Sequence, residues 1–290
     1  MRLLSCSAYR QIARDVDASP TTIMRQCDRL GRHCLLFHEQ MRPKQGPGES
    51  LAIDGFESFE FSQYTPVHFH AVIGGRSHFI YGLTDSELRR KGRMTEPQRR
   101  RRALLEATLG RPDPRSIERE MGALLEIVLP EGARATIHSD EHRSYPRAIS
   151  RLRRIGRTIR HVTTSSRISR TPDNPLFPVN LADLLIRHSQ ANHKRETIAF
   201  SKRRACAAYR MFVFLVWRNT MKSFSERKRD ESPAQKLGLL PRRLRVDDVL
   251  RARLFLGCVG LPPRWLDYYR RSIVTRRIPS GATHSLRYAM

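Results

Sequence analysis

A chain of 290 residues with 54 Lys plus Arg against 28 Asp plus Glu has a formal net charge of +26. Such a charge repels itself in a compact fold and calls for a polyanionic partner, nucleic acid first and an anionic membrane surface second. The 39% apolar content argues against global disorder, no apolar run reaches the roughly 18–20 residues that span a bilayer, and five scattered cysteines without a CxxC pair indicate neither a zinc ribbon nor a disulfide framework.

The N-terminus, MRLLSCSAYRQIARD, lacks the apolar core and cleavage site of a secretory signal, so a cytoplasmic, nucleoid-associated protein is expected. Residues 7–34 hold two helical patterns around Asp17-Ala18-Ser19-Pro20. Ile12, Ala13 and Val16 would face inward from the first, and Ile23, Met24, Cys27 and Leu30 from the second. Ser19 reads as an N-cap and Pro20 as the first helical residue. This outlines a small helix-turn-helix over residues 1–41 that offers Thr21, Thr22, Arg25 and Gln26 to DNA; an ordinary helical hairpin has the same pattern.

A Pro- and Gly-rich linker, 42–50, leads to three strand-like runs: LAIDGFESFEF (51–61), VHFHAVI (67–73) and FIYGL (79–83). Gly74-Gly75 reads as a tight hairpin turn. His68 and His70 alternate and are expected to face solvent. Glu57 and Glu60 are expected at a wet strand end. A basic segment, 89–102, ends in Arg99, Arg100, Arg101 and Arg102, read as sequence-independent phosphate contacts. Helical patterns follow over 104–109 and 117–128. A fourth strand, 133–137, runs into His138-Ser139-Asp140-Glu141, where Ser139 or Asp140 could cap the short helix at 146–152. A fifth strand is expected over 158–162, then helices over 179–192 and 202–222. The second of these carries the apolar MFVFLVW, read as core. Residues 226–290 form a basic, helical C-terminal region with a loose tail.

Three antiparallel strands, helix, strand, helix, strand, helix is the order of an α/β, RNase H-like mixed sheet flanked by helices, here over 51–225. In that frame Asp54, an acid inside an apolar strand, lies beside Asp140. A buried, unpaired carboxylate is costly, and two together repel unless a cation sits between them. Mg²⁺ takes oxygen ligands. Asn180, Asp183 and Arg187 share one helical face and could hold a metal and a DNA phosphate together; an Asp183–Arg187 surface pair at i,i+4 is the blander reading. His193 and Glu196 are expected as a helix-surface pair, and Glu141 at the surface.

The stretches LAIDGFESFEF, FIYGLTDSELRRKGRMT, IHSDEHRSYPRAI and NPLFPVNLADLLIRHSQANHKRETIAFSKR resemble bacterial insertion-sequence transposases of the DDE superfamily, most of all the ISXO2-like group, over about 50–230. That resemblance implies Asp54 and Asp140 as the first two catalytic acids. It implies Glu or Asn at the third position with a basic residue seven further on, which Asn180 and Arg187 match; Asp183 is the alternative. It also implies Mg²⁺ or Mn²⁺, double-stranded DNA (terminal inverted repeats and target) as partner, and a homodimer or larger assembly on DNA. The activity implied is hydrolysis at the element ends followed by strand transfer. An RNase H-like nuclease without strand transfer and an inactive DNA-binding remnant are the alternatives.

Overall fold

In the computed structural model, which describes residues 1–165, 167–194, 197–227, 229–273, 275 and 276, the first strand-like run lies at the middle of the sheet. The strands are β1 (Leu51–Phe59), β2 (Pro66–Gly74), β3 (Ile80–Glu87), β4 (Arg134–Ser139) and β5 (Thr158–Thr163). Their order is β3-β2-β1-β4-β5. β1 pairs antiparallel with β2, and β2 with β3, whereas β1–β4 and β4–β5 are parallel. A mixed five-stranded sheet in this order, flanked by helices, is compatible with an RNase H-like fold, as the chain order predicted. Its central position explains why β1 opens with Leu51, Ala52 and Ile53, all fully buried.

The helices are α1 (Tyr9–Asp15), α2 (Pro20–Met41), α3 (Glu96–Leu109), α4 (Ser116–Val128), α5 (Ser144–Arg154), α6 (Phe177–Ser189), α7 (Arg204–Thr220), α8 (Pro233–Lys236), α9 (Val246–Arg251) and α10 (Pro263–Arg270). Neighbouring residues of β3 divide them between two faces. Thr84 donates to the Glu120 carbonyl of α4, while the next residue, Asp85, pairs with Arg204 of α7. Successive strand side chains point to opposite faces, so α4 and α7 cover opposite sides. Arg187 of α6 lies over the Phe56 ring. α6 therefore shares the face of Phe56 and, two residues back, of Asp54.

Ser19 caps α2 by accepting from the Thr22 amide at 3.0 Å, with Pro20 at the helix start, as the sequence predicted. Val16, expected inside, is 55% exposed: it lies past the end of α1, where the helical period no longer sets its direction. α2 continues for 22 residues, and its second half joins the main core through Cys34 and Leu35. There Gly31 meets α7 so closely that a Cβ would lie 2.5 Å from that of Tyr209.

Three strand expectations are corrected. β3 runs on to Glu87 because its polar end, Thr84-Asp85-Ser86, is buried. His68 and His70, expected in solvent, are buried and stacked with ring centroids 4.7 Å apart; helices cover both faces of β2, so alternation does not mark a wet side there. The turn after β2 is not a two-residue Gly-Gly turn. It spans five residues, held by Glu49, whose carboxylate accepts from the amides of Arg76 and Ser77 at 2.7 and 2.9 Å. Gly74 is needed because a Cβ would collide with the Glu49 carboxylate.

The edge strand β3 is closed by the C-terminal region. Trp265, fully buried, donates its indole N–H to the Leu83 carbonyl at 3.0 Å. Asp85, also fully buried, is met by Arg204, Arg264 (3.1 Å) and the Tyr268 hydroxyl. Burial alone would raise the Asp85 carboxyl, but the two guanidiniums hold it below the ordinary value.

Candidate metal and phosphate site

Alternation along β1 turns Asp54 toward α6. The parallel register Leu51↔Ile137, Ala52↔His138 and Ile53↔Ser139 makes Asp54 and Asp140 the next step, on strands about 4.8 Å apart. The sequence-predicted pair is thus brought together at one end of the sheet. Asp54 Oδ1 accepts from the Gly55 amide at 2.7 Å and from the Tyr145 hydroxyl at 3.3 Å. Asp140 Oδ1 accepts from the His142 amide at 2.9 Å, a side-chain turn that starts the chain toward α5. α5 in turn carries Tyr145. The capping expected of Ser139 is not what its hydroxyl does: fully buried beside β5, it donates to the Asp140 carbonyl at 2.7 Å and lies 2.8 Å from His161 Nε2.

Across this face, α6 presents its polar stripe. Asp183 Oδ1 and Arg187 Nε are 3.3 Å apart, so the i,i+4 pair exists. Arg187 is itself fixed: it donates to the carbonyls of His193 at 3.2 Å and Glu57 at 3.5 Å, and its guanidinium lies 5.2 Å from the Phe56 centroid. Asn180 sits half-buried in the first turn of α6, one turn before Asp183.

The Asp54 carboxyl is pushed up to about 7. Burial is the largest cause. The Gly55 amide and the Tyr145 hydroxyl oppose it, while the charges of Asp140 and Asp183 add to it. Two acids therefore act on Asp54. Among the described residues, though, no three Asp, Glu, His or Cys side chains converge as a ready-made metal cage. A carboxylate pair with a third acid within electrostatic reach still fits Mg²⁺, which is commonly held by one or two carboxylates, waters and substrate phosphates.

The other candidates separate. Glu57 and Glu141 are exposed. Glu60, expected to be wet, is 2% exposed, and burial pushes its carboxyl to about 7; it lies past the end of β1, where strand alternation no longer applies. His193 is buried rather than on a helix surface, edge-on to Phe56 and Phe69 at 5.3 and 5.1 Å, because α6 ends at Ser189 and the chain turns inward. Glu196 lies outside the described residues, as does the tail from 277. Thr21, Thr22, Arg25 and Gln26 are exposed at the start of α2. Arg99 and Arg100 pair with Glu96 at 2.9 and 3.3 Å, Arg102 pairs with Glu106 at 3.5 Å, and Arg101 is exposed.

Sequence reasoning missed Tyr145 and His142, which tie the two aspartates to α5. The signal was an aromatic five residues after Asp140 in an otherwise polar stretch. Among the described residues no helix is long and apolar enough to cross a membrane.

No family model matches the chain, and no curated protein matches it. Among solved structures, it is similar to a chain of the cryo-EM structure of a simian T-cell lymphotropic virus intasome in complex with the PP2A regulatory subunit B56 gamma. The identity is 17% and the TM-score 0.29, over 67% of this chain and 55% of that one; the present chain thus spans about half the length of that relative.

Proposed function

We propose that this protein is a metal-dependent DNA transposase of the DDE type, cutting phosphodiesters at element ends and joining the freed 3′-OH to target DNA. The observation that carries the reading is the pairing of Asp54 and Asp140 at one end of the sheet with Asp183 of α6 within electrostatic reach of Asp54, whose carboxyl burial and these acidic neighbours raise to about 7. A net charge of +26 supplies the attraction for the polyanion.

Asp54 and Asp140 would hold Mg²⁺ or Mn²⁺. Asp183 adds the third negative charge, and Asn180 an amide oxygen one turn earlier. When bound, such ions neutralise charge on the phosphodiester and activate the attacking oxygen. Tyr145 keeps the Asp54 carboxylate oriented. Arg187, braced by Asp183 and two backbone carbonyls, presents a preorganised guanidinium to a phosphate. Thr21, Thr22, Arg25 and Gln26 on α2, and the arginines at 99–102, would grip the duplex, and bringing two element ends together would take at least two copies.

The test is a supercoiled plasmid carrying the DNA that flanks this gene on both sides, incubated with full-length protein and Mg²⁺ or Mn²⁺. Cleaved and joined products are expected, absent with chelator and absent for Asp54→Asn and Asp140→Asn. Persistence of either product in those variants overturns the assignment. Cleavage without joining would make the chain a nuclease, and salt-sensitive binding without cleavage an inactive remnant.

A further inference from the structure

Past Asp54, the last residues of β1 open onto a groove of about 540 Å³. Its walls carry five cations, Arg89, Arg90, Lys91, Arg187 and Lys194, against one carboxylate, Glu57. Arg187 is shared with the site above. Glu57 is three residues beyond Asp54, roughly 10 Å along the strand, the rise of about three stacked nucleotides. Arg187, which pairs with Asp183, is the residue through which the groove adjoins the carboxylate cluster.

Its cations are not equally satisfied. Arg89 is held by Glu106 at 2.8 Å. Among the described residues, Arg90, Lys91 and Lys194 are in no ion pair, and Arg90 Nη1 is buried without a hydrogen-bond partner. The Arg90 guanidinium is pinned 4.7 Å from the Tyr64 centroid, so it cannot swing out to water at no cost. A buried guanidinium nitrogen without an acceptor is expensive unless a ligand provides one. Phe59, on the same wall, adds an aromatic face. The volume falls within the roughly 300–1,000 Å³ of small-ligand pockets, which admits one or two nucleotides and not a duplex. Cations that track a backbone beside an aromatic platform are how unpaired strands are held.

We propose that this groove binds an unpaired DNA strand next to the carboxylate cluster, its phosphates on Arg90, Lys91 and Lys194. The inference takes the identity of the polymer from the function proposed above. Its test needs no chemistry, so either can fail alone.

Full-length protein in chelator is titrated by fluorescence anisotropy against a blunt duplex and the same duplex bearing a thymidine tail, 3′ in one probe and 5′ in another. One tailed probe should bind at least about tenfold tighter than the blunt duplex. Lys91→Ala with Lys194→Ala, both at exposed positions, should abolish that preference and flatten the salt slope on tailed DNA by about 1.4. Blunt binding should stay within about twofold. Lys194→Glu should act in the same direction. Absence of a tail preference in the wild type, or equal losses on tailed and blunt DNA, overturns the proposal. Loss of plasmid cleavage with the preference intact would overturn the transposase reading alone.

Discussion

Replacing Asp54 by Asn should stabilise the metal-free protein at neutral pH and above. The carboxyl's ordinary value is 3.8, and in the fold it is held near 7. That difference corresponds to about 4 kcal/mol between the two protonation states. The folded chain binds the Asp54 proton more tightly than the unfolded chain. The contribution of Asp54 to stability is therefore fully present below about pH 4, is lost as pH rises to about 7, and stays lost above. Asparagine keeps an oxygen for the Gly55 amide and the Tyr145 hydroxyl and does not titrate. Asp54→Asn should thus match the wild type near pH 4 and exceed it by up to about 4 kcal/mol at pH 8. At roughly 2 °C per kcal/mol for a chain of this size, this approaches about 8 °C in Tm. Glu60, also held near 7, titrates in both proteins and cancels in the difference. Thermal melts in chelator at several pH values measure it, and added MgCl₂ at pH 8 should raise the wild-type Tm and narrow the gap. A variant less stable than the wild type at pH 8, or a difference that does not change with pH, would refute the reasoning.

Asp140→Asn removes a like charge and should lower the Asp54 midpoint by less than burial raised it, read from the ¹³C titration of the Asp54 carboxyl. Asp85→Asn removes the buried charge shared by Arg204 and Arg264, which keep Glu87 and Glu120 as partners, and should cost about 3 kcal/mol, measured as a lower urea midpoint at pH 7. Gly55→Ala drives a Cβ into the buried His68 ring and should cost about 1–3 kcal/mol. His68→Ala should recover part of that loss in a double-mutant cycle.

The sheet order was legible because β1, β2 and β3 contain apolar runs bounded by turn residues, and helical patterns precede β4 and separate it from the short β5. The Asp54–Asp140 pair was legible because a parallel β1–β4 ladder puts the residues after Ile53 and Ser139 side by side. What was not legible lay wherever a polar residue is buried by a distant segment. His68 and His70 alternate like a wet strand, yet helices cover both faces of β2. His193 follows a helix that stops earlier than its apolar pattern. Trp265 and Tyr268 lie in a basic, weakly patterned region, and the edge strand they seal is about 180 residues earlier. Local period reports only which side a residue takes, not what arrives to cover it.

The two strand aspartates make this concrete. LAIDGF and YGLTDSE both set an acid after apolar residues, and Asp54 and Asp85 share one face of one sheet. Nothing local separates them. Asp85 meets guanidiniums from 119 and 179 residues away, is held ionised, and serves to fasten α7 and α10 to the sheet. Asp54 is pushed toward its neutral form by burial and by the charges of two further carboxylates. A fold gains nothing in stability from gathering three acids at one sheet end, while it gains a fastened edge from Asp85. The acid that the structure leaves electrostatically unsatisfied is the one the proposed function uses, and that contrast, rather than the presence of an aspartate in a strand, is what the proposed role of Asp54 rests on.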